Sequence, residues 1–265
     1  MLKTEMRNPK TTHIDTMTTA EMLKIMQEEN LNAVNAVGSQ LDNIGQAVDV
    51  ISDAFQKGGR LIYVGAGTSG RLGVLDASEC PPTFGVSHDT VIGVMAGGND
   101  AIRKAKEGAE DSKEAGECDL KAIRLKGQDV VVGISAAGGA GYVISALLYA
   151  KSIGCTTVGI TSNAESLLDQ TADISIVTDT GAEVVTGSTR MKAGTAQKLV
   201  LNMLSTSAMI KTGKVYENLM INLSATNEKL TKRMIRIVSD IKHVSEAEAE
   251  ALLDAADWNI KKAVM

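Results

Sequence analysis

The sequence predicts an α/β fold in which a five-stranded parallel sheet carries helices on both faces. Short runs rich in valine and isoleucine predict strands at 61–65, 91–96, 129–135, 156–161 and 174–178. These runs are apolar throughout, as is typical of strands buried on both faces. Helical stretches at 71–79, 100–115 and 141–153 lie between them. Such alternation indicates a flavodoxin-like, three-layer sandwich.

Composition limits the classes of partner. With 44% hydrophobic but only 3% aromatic residues, the 265-residue chain should form an aliphatic core. A net charge of -5 argues against a nucleic-acid or anionic-membrane surface. No apolar run reaches transmembrane length, and the polar N-terminus lacks a signal-peptide core. Three dispersed cysteines and three histidines predict no metal site. We therefore expect a cytoplasmic, reduced and metal-free protein.

The N-terminal part, 1–57, is predicted to be helical. Thr18 and Glu21 form the pattern of a capping box that opens a first helix. From Leu31 to Phe55 apolar residues recur at helical spacing, and Gly58-Gly59 should end that helix. The sequence leaves open whether these helices cover the sheet or pair with another subunit.

The first strand is followed by a glycine-rich segment, Gly65–Gly73, that predicts an anion site. Glycines permit a tight turn, and the next helix would direct free N–H groups at the turn. The candidate ligand-binding residues here are Gly67, Thr68, Ser69 and Gly70. The same glycine spacing also fits a dinucleotide fingerprint. That fingerprint requires an acidic residue after the next strand to bind the ribose. The segment after this strand, 97–100, offers only Asp100, which suits a helix cap better, so a sugar phosphate is favoured.

Glycines also follow the second and third strands, at Gly97-Gly98 and Gly138-Gly139. Ligands of parallel sheets bind beyond the carboxyl ends of the strands. We therefore expect the three glycine segments to meet at one edge, together with Ser135 as a further substrate-binding candidate.

A second unusual segment spans 180–195. Ser188 is a plausible N-cap for a long apolar helix. Arg190 and Lys192 would lie in its first turn, where positive charge opposes the helix dipole. A bound anion would explain both, so Ser188, Thr189, Arg190 and Lys192 are added as substrate-binding candidates. The alternative is that both cations extend into solvent.

The core domain is expected to span 58–226, followed by a helical module over 227–265. Asn227 could cap its first helix, and the tail from Ser245 predicts two short helices. The chain stops abruptly on apolar Met265, which suggests a truncated module.

Several of these segments together resemble the N-acetylmuramic acid 6-phosphate etherase family, which has the sugar isomerase (SIS) fold. The matching segments are Gly65–Pro82, Ala96–Gly98, Glu107–Asp111, Gly181–Thr195 and Glu217–Met220. Residues 76–82, Asp-Ala-Ser-Glu-Cys-Pro-Pro, are a specific marker of that family. The resemblance implies cleavage of the C3 lactyl ether of a phosphorylated amino sugar in cell-wall recycling, without a cofactor, by a homodimer with its site near the subunit boundary.

The resemblance also implies roles for two carboxylates. Glu79 would protonate the departing lactate, and Glu110 would remove the C2 proton. Pro81-Pro82 predict that the helix ends near Glu79, where the negative dipole end and partial burial would raise the pKa of its carboxyl. From the residues alone, Glu79 could equally be an exposed helix end. Glu107, Glu110, Asp111 and Glu114 form an acidic helical stripe, and such stripes are usually solvated.

The chain departs from the family pattern after the third strand. Where the family has Ala-Ser-Gly-Arg-Thr-Pro-Tyr, residues 136–142 are Ala-Ala-Gly-Gly-Ala-Gly-Tyr. Lost hydroxyls and a lost cation should weaken phosphate binding. Three interpretations remain open: an etherase, an etherase impaired by this loop, and a non-catalytic sugar-phosphate sensor. The last would resemble glucokinase regulatory protein, which shares the segment Gly181–Thr195.

Overall fold

The computed structural model describes residues 1–223, 225 and 227–264, and its centre is the predicted five-stranded parallel sheet. The strand order is β2-β1-β3-β4-β5, which is the flavodoxin-like order. Each predicted strand is confirmed to within one residue at either end. The bounds are β1 Leu61–Gly65, β2 Val91–Met95, β3 Val130–Ile134, β4 Thr156–Thr161 and β5 Ile174–Val177.

Helices surround this sheet and form the C-terminal part of the chain. Their bounds are α1 Thr19–Gly38, α2 Leu41–Gln56, α3 Gly67–Phe84, α4 Gly98–Arg103, α5 Lys113–Ala122, α6 Gly141–Ser152, α7 Leu167–Thr171, α8 Lys192–Lys211, α9 Glu228–Lys242, α10 Glu246–Ala255 and α11 Ile260–Val264. A short antiparallel pair, β6 Val215–Tyr216 with β7 Leu219–Met220, lies between α8 and α9. None of the helices described is long and apolar enough to span a bilayer.

Two hydrophobic clusters form the layers on either side of the sheet. Helices α1, α2, α3 and α8 contribute to the first, which includes Ile51 and Leu204. Helices α5, α6 and α7 contribute to the second, which includes Leu120 and Leu147. The N-terminal helices therefore pack on the core of their own chain.

The helical pattern over 31–55 is divided between two helices. Thr18 and Glu21 form the predicted capping box of α1, but α1 ends at Gly38 and α2 begins at Leu41. The side chain of Ser39 donates to the carbonyl of Ala36 at 2.8 Å, as a local hydrogen bond that competes with helix continuation. The prediction of one continuous helix over this range is therefore wrong.

Helix α3 continues through both prolines, so the prediction that it ends near Glu79 is also wrong. Pro81 and Pro82 lie inside the helix, which ends at Phe84 before Gly85 in the left-handed conformation (φ 63°). Buried Cys80 and Phe84 pack the last turns against the core. This packing outweighs the backbone hydrogen bonds that the two prolines cannot donate.

The C-terminal helices have a hydrophobic cluster of their own, formed by residues from Ile221 onward and centred on Met234 and Leu253. The side chain of Asn227 accepts from the backbone N–H of Leu230 at 2.9 Å, as predicted for a cap. Helices α10 and α11 are the two predicted from Ser245. The boundaries at 57/58 and 226/227 stay predictions.

Candidate functional site

The carboxyl ends of β1, β2 and β3 lie side by side, so the three glycine segments do meet at one edge. Gly65 pairs with Met95 on one side and Ile134 on the other. Close packing at the turn requires glycine, because a Cβ on Gly65 would lie 2.6 Å from the backbone nitrogen of Gly70. Ala66 precedes α3 and offers no side-chain cap. The first N–H groups of α3 therefore remain available to an anion.

The hydroxyl side chains of this turn lie against α8. Ser69 is buried, and its hydroxyl donates to Oε1 of Gln197 at 3.0 Å. The position of a Cβ on Gly194 is 3.5 Å from both the methyl of Thr68 and the carbonyl oxygen of Thr189. Two predicted segments, one at the start of α3 and one before α8, are thus neighbours. Sequence reasoning did not identify Gln197 as the partner of Ser69.

Lys192 has a different environment from the one predicted. Its side chain is buried, and Nζ donates to Glu29 at 2.5 Å and to the carbonyl of Ala182 at 2.6 Å. The carboxylate of buried Glu183 accepts from the backbone nitrogens of Lys192 and Ala193 at 3.1 and 3.0 Å. We expected a bound anion here from the sequence, but the carboxylates of Glu29 and Glu183 supply the negative charge instead. Lys192 presents no free charge to a ligand in this structure.

Two smaller corrections concern helix starts. Helix α8 begins at Lys192 after Met191, so Ser188 is not its N-cap, and the Glu183 carboxylate accepts from its first backbone N–H groups. Ser188 and Thr189 are half-buried in the preceding turn, and Arg190 is exposed. Asp100 lies in the first turn of α4, whose N-cap is Gly97.

Lys192, Glu29, Lys10 and Asn8 form a hydrogen-bonded cluster, and this cluster lowers the pKa of the Glu29 carboxyl group. Burial alone would raise the pKa of Glu29, but hydrogen bonds from Lys192 and Lys10 and the charge of Lys192 lower it to about 2. Asn8 donates to the same carboxylate at 2.9 Å. The cluster ties the N-terminal segment, α1 and the start of α8 together.

The loop after β3 has backbone donors but few polar side chains. The hydroxyl of Ser135 accepts from the backbone N–H of Gly138 at 3.1 Å and so shapes the turn. Glycine is required at position 138, because the φ of 76° is positive and a Cβ would clash with Ser166. Gly139 has open space around its Cβ position. Ala140 precedes α6 without a side-chain cap, so backbone N–H groups at that helix start remain for an anion.

Glu110 lies in a short 3-10 turn, Ala109–Asp111, and is exposed. The predicted helix over 100–115 is broken after Arg103, so the acidic helical stripe does not form. Glu110 and Gly67 line the same cavity of about 110 Å³. The structure therefore places this carboxylate beside the anion cradle at the start of α3.

Glu79 lies elsewhere. It is exposed on α3, five residues before the helix ends, so it is neither at a helix end nor partly buried, although the sequence led us to expect both. It lines a separate cavity of about 270 Å³ with Asp76, Lys198 and Asn202. Within one chain, Glu79 and Glu110 thus border different cavities.

Cys80, next to Glu79, is a packed thiol. Burial and the charge of Asp76 raise the pKa of its thiol to about 12, so it stays protonated near neutral pH. Among the described residues, no group of three or more histidine, cysteine or carboxylate side chains is placed to hold a metal ion.

Comparison with solved structures shows the same fold in sugar-phosphate enzymes. A phosphoheptose isomerase from Francisella tularensis has a TM-score of 0.56 and 16% identity, covering 72% of this chain and 98% of that one. The phosphoheptose isomerase of Neisseria gonorrhoeae gives the same values. Two family models match: the glucokinase regulatory protein N-terminal SIS domain over residues 43–151 and the SIS domain over residues 104–207.

Relatives of much higher identity match over the full chain. N-acetylmuramic acid 6-phosphate etherase 2 of Vibrio parahaemolyticus is 55% identical, covering 100% of this chain and 88% of its own length. The etherase of Pasteurella multocida is 53% identical with the same coverage. One from Clostridium botulinum is 54% identical, covering 99% of this chain and 87% of its own. The chain therefore belongs to the N-acetylmuramic acid 6-phosphate etherase family.

Proposed function

We propose that this protein cleaves the D-lactyl ether of N-acetylmuramic acid 6-phosphate, giving N-acetylglucosamine 6-phosphate and D-lactate. The observation that carries the proposal is the full-length match to etherases at 52–55% identity. The anion cradle at Gly67 with Glu110 beside it, and the retention of Glu79, support it. We place this reaction in the cytoplasm, in the recycling of cell-wall amino sugars.

The chemistry requires a base and an acid. In the open-chain sugar the C2 proton is α to the C1 aldehyde, so Glu110 can remove it to give an enolate. The enolate electron pair then expels the C3 oxygen, and Glu79 supplies the proton that completes lactate. Water adds to the resulting double bond at C3, while C2 regains a proton. The balance of this sequence is one water consumed and one lactate released.

We propose further that the working unit is a homodimer in which each site combines the cradle and Glu110 of one chain with Glu79 of the other. Gly67 and Glu79 are 12 residues apart on α3, which is about 18 Å at 1.5 Å per residue. Six bonds separate phosphorus from the ether oxygen of the substrate, so they lie about 9 Å apart at most. The substrate is thus shorter than the Gly67–Glu79 separation along the helix, and within one chain the two residues border different cavities.

The reaction is tested by incubating the protein with N-acetylmuramic acid 6-phosphate and assaying D-lactate. Glu110→Gln should abolish exchange of the C2 proton with solvent deuterium. Glu79→Gln should block lactate release while exchange continues. Exchanged phenotypes would reverse the two roles. Absence of D-lactate from the parent protein, with retained ligand binding, would favour the sugar-phosphate sensor or an etherase impaired at 136–142.

The shared site is tested by mixing the two inactive variants. In a 1:1 mixture of Glu79→Gln and Glu110→Gln chains, about half of the dimers are mixed, and each mixed dimer has one intact site. Activity should therefore return to about 25% of the parent value. A mixture that stays inactive after subunit exchange, verified with differently tagged chains, would place both carboxylates in one chain.

A further inference from the structure

The cavity beside Glu79 contains a lysine that the proposed reaction does not yet use. Lys198 lies on α8, opposite Glu79 on α3, and both line the cavity of about 270 Å³. Leu72, Leu75 and Leu201 form its apolar wall. A cation, a carboxyl group and a small apolar surface thus share one compartment.

Lys198 lies at the end of a chain of hydrogen bonds that begins in the core. The hydroxyl of fully buried Tyr63 donates to Oδ2 of Asp76 at 2.8 Å. Oδ1 of Asp76 accepts from Nδ2 of Asn202 at 2.6 Å. With its nitrogen held by Asp76, Asn202 presents its carbonyl oxygen to Nζ of Lys198. The lysine is therefore linked to the core through Asn202 and Asp76.

The carboxyl side chains of Asp76 and Glu79 line the cavity with Lys198, but neither is paired with it. Lys198 forms no ion pair with any carboxylate of the described residues. The carboxylate of Asp76 is occupied by Tyr63 and Asn202. An ammonium group with only an amide oxygen as partner retains donors for an anion.

The leaving group of the proposed reaction has the matching chemistry. Lactate carries a carboxylate two bonds from the ether oxygen and a methyl group on the carbon between them. An acid that contacts the ether oxygen therefore lies near the carboxylate. At about 30 Å³ per water, 270 Å³ has room for about nine waters, which is enough for the six heavy atoms of lactate.

We propose that Lys198 binds the carboxylate of the lactyl group, with the methyl against the leucine wall, and so selects ethers with an acidic side arm. This inference rests on the proposed function, because it takes Glu79 as the group that protonates the ether oxygen. Asp76 and Asn202 act as positioning residues for Lys198.

The test compares the natural substrate with its lactamide analogue, in which a neutral amide replaces the carboxylate. Kd values are measured by calorimetry in the Glu110→Gln protein, where turnover is blocked. This protein should bind the carboxylate form about 10- to 100-fold more tightly, as expected for one charge-assisted hydrogen bond. Adding Lys198→Gln should reduce this ratio to about one, and Lys198→Arg should restore most of it. Lys211→Gln, 13 residues further along α8, is the matched control and should leave the ratio unchanged.

Two results would overturn the inference: equal binding of both ligands by the Glu110→Gln protein, or a preference that persists in Lys198→Gln. Neither depends on turnover. A parent protein that releases no D-lactate but shows a Lys198-dependent preference would refute the proposed reaction and leave the carboxylate subsite standing. A parent protein that releases D-lactate but shows no such preference would support the proposed reaction and refute the carboxylate subsite.

Discussion

Two lysines six residues apart on α8 have opposite environments. Lys192, at the start of the helix, is buried and paired with Glu29. Lys198, less than two turns later, is exposed and hydrogen-bonded to an amide oxygen. The first was expected from the sequence to bind ligand, and the second was not singled out. The comparison suggests a rule: a charge neutralised inside the protein serves the fold, while a charge without an ion pair among the described residues is a candidate for ligand binding.

The difference is one of solvation. A buried ammonium group is tolerated only when a carboxylate and further acceptors replace its water. Glu29 and the carbonyl of Ala182 do this for Lys192. Lys198 keeps contact with water and loses little when a substrate replaces that water. The same distinction separates buried Glu183, which caps α8, from exposed Glu79 and Glu110.

The largest expected loss in the free energy of unfolding is for Lys192→Met. This change leaves Glu29 buried without its closest cation, and breaking such a pair costs about 3–5 kcal/mol. Lys198→Met, the same substitution on the same helix, should change the free energy of unfolding by less than about 0.5 kcal/mol. Urea unfolding followed by circular dichroism measures both. Equal losses for the two variants would contradict the distinction.

Lowering the pH should also reduce the free energy of unfolding through the Glu29–Lys192 pair, by somewhat less than the Lys192→Met substitution does. The pKa of Glu29 lies at about 2 in the folded protein, below its ordinary value of 4.5. Its contribution is therefore complete above pH 4.5 and is lost as pH falls toward 2. A shift of this size corresponds to about 3 kcal/mol. The parent should lose about that much more stability between pH 6 and 2 than Glu29→Gln, which has no such proton to bind. Parallel pH profiles would show that the ion pair does not stabilise the fold.

The smallest stability effects are expected for the two catalytic candidates. Glu79→Gln and Glu110→Gln remove exposed carboxylates that form no ion pair among the described residues. Each should change the free energy of unfolding by less than about 0.5 kcal/mol. The same urea experiment checks this and also shows that any loss of lactate release comes from chemistry. A loss above 2 kcal/mol would assign either residue to the fold.

Much of the fold could be predicted because it depends on local patterns. Apolar strands, a capping box at Thr18 and the cap at Asn227 each involve residues close in sequence. Helix ends were less predictable, since packing decides them. Pro81 and Pro82 favour a helix end, yet buried Phe84 keeps the last turn in place. In the pattern over 31–55, Gly38-Ser39 was a usable signal for the break, because glycine and serine are common where helices end.

For the site, sequence motifs predicted the turn at Gly67 and the two glutamates as functional residues, but they did not predict the partners of these residues. The i, i+4 spacing of Lys198 and Asn202 was a usable signal, whereas contacts over longer separations, such as Ser69 with Gln197, carried none. By itself, the sequence determined the parallel sheet, the edge at which its loops meet and the family, because these follow from short-range patterns and motifs. Only the tertiary structure decided which charged side chains are neutralised by partners inside the protein. Whether a lysine is paired depends on residues far along the chain, as with Glu29 and Lys192, and on the water that folding removes.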